Sequence, residues 1–190
     1  MPWIKPEKKD DIHSYARKMA EIILAAENPI VIGVSLGGIL ASEMTTFIPN
    51  LRVIAISTIK GLEERPFLFK AGRTVAVQRL APIWLAKKMS FFWRWGNRKI
   101  PRQDADMLID MFIKQDNRFI KWVLIQTPKW KGAGDAERIH HIHGDKDRLF
   151  PIKRIANAQV VKDGTHMMVY TKGNEVSNLI NEELKRMQGV

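Results

Sequence analysis

A serine with glycine two residues to either side, Gly33-Val34-Ser35-Leu36-Gly37, stands between an unbroken apolar run, Pro29–Val34, and a segment of helical periodicity. A hydroxyl at a sharp strand-to-helix turn sits on strained backbone, and side chains two residues before and after it must be tiny. The turn lifts the hydroxyl above the carboxyl edge of a sheet. It also aims the first helical amides, Leu36 foremost, at the same point, where they can stabilise an oxyanion. The chemistry is nucleophilic attack on a carbonyl; the other reading is a glycine-rich turn that merely packs a helix on a strand. A serine nucleophile needs a base, and the base needs an orienting acid. Of the five histidines, His13 falls on the exposed side of a helix, and His140, His141 and His143 belong to a strand whose alternation makes them mostly structural. His166 differs, because it follows Asp163-Gly164-Thr165 directly after a strand, at the edge where Ser35 stands. Carboxylates come from His143-Gly144-Asp145-Lys146-Asp147, directly after the strand before that one.

The elements that must position these residues alternate along the chain. Helical spacing of Ile12, Tyr15, Met19, Ile22 and Ile23 predicts a helix from Asp11 to Asn28, capped by Asp10 or Asp11 and stopped at Pro29. Residues 29–34, 52–57, 138–143 and 158–161 read as strands, with helices over 36–47 and 174–188. Strands alternating with helices predict an α/β fold with a mostly parallel sheet. Between the second and third strands lie about eighty residues with helical periodicity at 75–88, 103–115 and 117–126, longer than any connection in a compact sheet requires. The predicted organisation is a discontinuous core, 1–59 and 132–190, with a helical cap inserted at 60–131.

With the elbow at Gly33–Gly38, the segment His143–Asp147 followed by Pro151, and Gly164-Thr165-His166-Met167 in this order, the chain resembles an α/β-hydrolase. The resemblance covers roughly 11–58 and 136–190. It implies Ser35 as nucleophile, Asp147 as the orienting acid, His166 as base and then acid, and the Leu36 amide as one oxyanion donor. Asp145 is then a turn residue accepting backbone amides. Relative to the family the chain looks short at its start: Trp3–Pro6 reads as the tail of an earlier strand, and no glycine before Gly33 marks a loop for a second oxyanion amide. The backbone near Trp3–Pro6, or a cap residue such as Arg65 or Lys60, is the candidate for that donor. The strand at 30–34 is then expected at a sheet edge, where self-association is a hazard.

Composition sets the remaining limits. The 190 residues suit a single globular domain with an insertion, and the absence of cysteine excludes disulfides, thiol catalysis and thiolate metal sites. No stretch is long and apolar enough to span a bilayer and the start lacks a signal-peptide layout, so a cytoplasmic location is expected. Net charge is +11, and residues 60–131 carry sixteen Lys and Arg against six Asp and Glu, with five of the six tryptophans. That cationic, aromatic stretch is expected either to pack the cap, through Trp84, Trp93, Trp95 and Trp122, or to meet an anionic lipid or acyl substrate. No nucleic-acid module, metal or cofactor is expected. The expected function is a serine hydrolase acting on a small-molecule ester or thioester. The alternative is a catalytically weak or inactive binding protein of the same fold, with an incomplete oxyanion hole.

Overall fold

The computed structural model describes residues 2–66, 87 and 101–189. Four strands, β1 (Ile30–Val34), β2 (Arg52–Ile56), β3 (Ile139–Gly144) and β4 (Ala158–Val161), form a sheet in the order β1-β2-β3-β4. All three pairings are parallel. The described helices are α1 (Ile12–Ala20), α2 (Leu36–Met44), α3 (Arg102–Lys114), α4 (Asn117–Gln126), α5 (Met168–Thr171) and α6 (Gly173–Gln188). Apart from Lys87, the predicted helix over 75–88 lies outside the described residues, as do Trp84, Trp93 and Trp95.

Chain contacts divide the protein into two units, one of residues 11–66 and 131–190, the other of residues 1–10 and 67–130. The boundaries differ from those expected from the sequence: the first ten residues group with the insertion, and residues 60–66 group with the sheet. Residues 3–6 form no strand. Instead, the Trp3 ring lies 5.3 Å from that of Phe119, and the Trp122 indole donates to the Asp10 carbonyl at 2.8 Å. The aromatic face of α4 gives this segment an apolar partner and its carbonyl a donor, which a fifth strand does not provide. Helix α1 is also shorter than expected. Asp11 caps it by accepting from the Ser14 amide, but beyond Ala20 it tightens into a 3₁₀ turn at Glu21–Ile23 that leaves Ile22 exposed. Three residues per turn rotate Ile22 away from the stripe that 3.6 residues per turn had placed it on.

In the sheet unit, α2 packs on β1 and β2, and α1 packs on α2. Ile54, Ile56, Ile142 and Val161 form one buried face with Met168, Val176 and Met187. Arg138 Nη2 donates to the Thr45 carbonyl at 2.6 Å and Nη1 to the Ile48 carbonyl at 2.8 Å, satisfying acceptors beyond the end of α2. Arg52 likewise reaches the Met187 carbonyl near the end of α6. Among the described residues β1 is an edge strand of this sheet, as expected, and Ile32 and Val34 on it are exposed.

Two close approaches bring the site loops together. A Cβ on Gly33 would stand 2.4 Å from the Gly37 carbonyl oxygen, so the strand end and the helix start touch through backbone alone. A Cβ on Gly144 would stand 2.1 Å from the Gly164 carbonyl oxygen, which joins the turn after β3 to the turn after β4 in the same manner. The expectation that both elbow glycines are sterically required holds at Gly33 only. A Cβ on Gly37 meets nothing within 4 Å, because its hydrogen faces open space while Gly33 faces the backbone of Gly37. Gly33→Ala is therefore expected to lower stability by about 1–3 kcal/mol, as an overpacked position does, and Gly37→Ala to leave it near wild type. Urea denaturation of the two variants checks the ranking, and equal midpoints would contradict it.

Candidate active site

Ser35 sits between β1 and α2 with φ 52° and ψ −117°, on the side of backbone space that side chains disfavour. Conformations of this kind cost about 1–3 kcal/mol and persist only where the surroundings over-determine them. Here they do. The Ser35 amide donates to the Ile56 carbonyl at 2.9 Å, the Ser35 carbonyl accepts from the Gly38 and Ile39 amides, and the Thr58 hydroxyl donates to it at 2.7 Å. Thr58, just past β2, also fills the space where a Cβ on Gly38 would fall. Thr58 is a site-supporting residue that sequence reasoning missed, since its role depends on β2 lying beside β1.

The three predicted side chains meet within the sheet unit. His166 Nε2 lies 3.0 Å from Ser35 Oγ, and His166 Nδ1 lies 2.8 Å from Asp147 Oδ2. Ser35 is half-buried, while Asp147 and His166 are buried. Each is delivered from a carboxyl end of the parallel sheet: Ser35 after β1, Asp147 after β3, His166 after β4. The Phe150 ring lies 5.5 Å from the imidazole of His166. Leu36, the first residue of α2, places its amide directly after Ser35 at a helix N-terminus, where partial positive charge gathers.

The two aspartates exchange one expected role. Asp145 was expected to accept backbone amides in its turn, but its Oδ1 is buried with no hydrogen-bond partner among the described residues. Asp147 does this instead: its Oδ1 accepts the Leu149 amide at 2.8 Å and the Phe150 amide at 2.9 Å, leaving Oδ2 for His166. One carboxylate thus folds its own loop and holds the imidazole. Lys60, a candidate oxyanion donor, is directed elsewhere, with Nζ on Glu64 Oε1 at 2.8 Å and on the Ala156 carbonyl.

The histidines expected to be structural divide into two groups. His13 pairs with Glu43 at 2.7 Å and His140 with Glu183 at 2.8 Å, both partly exposed. His141 and His143 are buried on β3 and lead away from Asp147, with His143 Nε2 3.5 Å from Asp147 Oδ2. Burial, then the nearby Lys60 and His143, push His141 down to about 3. Burial is also the main cause that lowers His143, against the pull of Asp147. Both rings are therefore neutral at physiological pH. Among the described residues no cluster of His, Cys, Asp and Glu suits a metal ion.

No protein-family model matches the sequence, and neither does any curated protein. Solved structures do match. A thermophilic esterase from Thermogutta terrifontis, malate bound, aligns at 18% identity over 93% of this chain and 73% of its own, with a TM-score of 0.64. A bromoperoxidase from Bacillus anthracis aligns at 15% identity over 96% of this chain and 77% of its own, with a TM-score of 0.66. MGS-M2, an alpha/beta hydrolase enzyme from a Medee basin deep-sea metagenome library, aligns at 15% identity over 98% of this chain and 74% of its own, with a TM-score of 0.57. At such identities the likeness is one of fold. The parallel sheet, the strained serine turn after β1 and these neighbours agree, and the chain has the fold of the α/β-hydrolase superfamily.

Proposed function

We propose that the protein is a serine hydrolase that cleaves an ester or thioester of a small or acyl-chain substrate through an acyl-enzyme. The observation that carries this reading is the hydrogen-bonded line from Ser35 Oγ through both nitrogens of His166 to Asp147, set at a half-buried serine on a strained turn. The Ser35 amide on the Ile56 carbonyl and the Thr58 hydroxyl on the Ser35 carbonyl hold that strained turn in place. An esterase is among the similar structures, which supports the ester class.

In this reading Ser35 Oγ attacks the substrate carbonyl while His166 Nε2 takes its proton. Asp147 Oδ2 holds the proton on Nδ1 of His166, so that Nε2 faces the serine, and it stabilises the imidazolium that forms. The carbonyl oxygen becomes an oxyanion facing the Leu36 amide at the start of α2. His166 then gives its proton to the leaving alcohol or thiol, and the acyl group stays on Ser35. Water attacks that acyl-enzyme by the same path in reverse, with His166 again as base. A second reading, a binding protein that keeps this geometry but turns over weakly or not at all, is favoured by the bonding of Lys60 away from the serine, which removes one candidate for the second oxyanion donor.

A fluorophosphonate probe separates these readings, because a competent Ser35 labels and an idle one does not. Ser35→Ala is expected to lose labelling and to lose p-nitrophenyl ester turnover by about 10⁴-fold or more. Equal rates in wild type and variant would end the hydrolase reading. Asp147→Asn is expected to lower kcat by about 10⁴-fold, while Asp145→Asn stays close to wild type. The reverse ranking would transfer the orienting role to Asp145.

A further inference from the structure

Behind Asp147 a file of buried polar side chains runs along the sheet unit. His143 Nε2 lies 2.7 Å from the Phe150 carbonyl oxygen and 3.5 Å from Asp147 Oδ2. His143 Nδ1 lies 3.3 Å from His141 Nε2, and His141 Nδ1 lies 3.4 Å from Lys60 Nζ. Lys60 Nζ also donates to Glu64 Oε1 and to the Ala156 carbonyl. Glu64 in turn accepts the Lys60 amide at 2.7 Å and the Ala156 amide at 3.0 Å. All of Lys60, Glu64, His141, His143 and Asp147 are buried.

The partners dictate where the protons are. A carbonyl and a carboxylate only accept, so the Nε2 of His143 that faces both must carry its proton. In the neutral ring His143 Nδ1 is then an acceptor, and His141 Nε2 must donate to it. That leaves His141 Nδ1 as an acceptor, facing the ammonium of Lys60, which only donates. The three donors of Lys60 have three acceptors: His141 Nδ1, Glu64 Oε1 and the Ala156 carbonyl. One consistent set of tautomers runs from the Lys60–Glu64 pair to the loop that presents Asp147. A reversed His143 ring would turn a lone pair toward the Phe150 carbonyl and the Asp147 carboxylate, at the cost of a buried unmade hydrogen bond.

Resting on the hydrolase reading above, we propose that His141 and Lys60, with Glu64, are positioning residues for the Asp147–His166 pair: they fix His143 in its neutral Nε2–H form, which pins the Phe150 carbonyl and with it the loop that Asp147 folds. The groups that face these rings act in the same direction. Lys60 and His143 oppose a proton on His141, and the Thr58 carbonyl beside it, which favours one, is outweighed by burial. Burial and His166 oppose a proton on His143, while Asp147, the Phe150 carbonyl and Glu64 favour one and are likewise outweighed. Asp147 therefore keeps His166 as its one cationic partner when the imidazolium forms, with no second positive ring beside it.

Two-bond ¹H–¹⁵N spectra of ¹⁵N-histidine-labelled protein test the tautomer directly and need no variant. His143 is expected to carry its proton on Nε2, and a proton on Nδ1 would overturn the proposal. His141→Phe removes the ring's hydrogen bonds to His143 and Lys60. It is expected to mobilise the His143 signals and to lower kcat by about 10²-fold, the scale set by small displacements remote from the reacting atoms, with KM little changed. His141→Gln keeps a donor toward His143 and an acceptor toward Lys60, and is expected to restore both the signals and kcat. A folded His141→Phe protein at wild-type rate, or His141→Gln as slow as His141→Phe, would overturn the proposal. A wild type that labels with no fluorophosphonate yet shows the Nε2 proton on His143 would overturn the hydrolase reading alone.

Stability supplies a readout independent of turnover. In the unfolded chain His141 binds a proton near 6.5, whereas in the fold burial holds it down to about 3. The unfolded state therefore binds more protons as pH falls through this window, and stability is lost from about pH 6.5 downward. The urea midpoint of wild type is expected to fall more between neutral pH and about pH 4 than that of His141→Gln, which has no such proton to refuse. Identical losses would show that His141 is not held neutral.

Discussion

The approach of β1 to the start of α2 through Gly33 is the constraint on which the rest of the molecule depends. Because a strand and a helix meet there with no side chain between them, Ser35 must turn through a backbone conformation that residues with a Cβ avoid. Everything packed around the turn serves to keep it so. β2 lies beside β1 in parallel register, Val34 opposite Ile56, and so the Ile56 carbonyl and the Thr58 hydroxyl reach Ser35. Without that register the serine backbone would relax to an ordinary turn, and its hydroxyl would leave the carboxyl edge where β3 and β4 deliver the other two side chains.

A second glycine contact acts as the counterpart of the first. Gly144 and Gly164 touch through backbone, and the Lys146 amide donates to the Gly164 carbonyl at 2.9 Å, so the turns carrying Asp147 and His166 form one rigid unit. Distances of about 3 Å between three residues on three separate loops require such direct contacts, since errors in loop placement accumulate with every side chain that intervenes.

Beside its apolar core the sheet unit also buries a file of polar side chains. A buried lysine, glutamate, aspartate and two neutral imidazoles cost desolvation energy that only complete hydrogen bonding offsets. In the file from Lys60 to His143 the cost is met by facing donors with acceptors, with the charged pair Lys60–Glu64 held by backbone groups of the segments that follow β2 and β3. A network satisfied in this way specifies one arrangement of its neighbours, and Asp147 is among them.

Much of this was legible in the amino-acid order. Apolar runs at 30–34 and 53–56 announced strands of a parallel sheet, although β1 at its edge leaves Ile32 and Val34 exposed, and the glycine-flanked Ser35 marked the junction with a helix, because strand and helix periods and the smallness of glycine are properties of the local chain. The order of Ser35, Asp147 and His166 likewise follows from motifs that each lie just past a strand. Other features arise only when distant segments meet. The partition of the amide-accepting role between Asp145 and Asp147, the freedom of Gly37 against the constraint on Gly33, and the docking of residues 3–10 on α4 depend on which atoms stand opposite. The same is true of His141 and His143, which alternation along β3 presents as ordinary strand residues. Their partners Lys60 and Phe150 lie on segments far apart in the chain, and a hydrogen bond is decided by distance and direction in space, which spacing along a sequence does not contain.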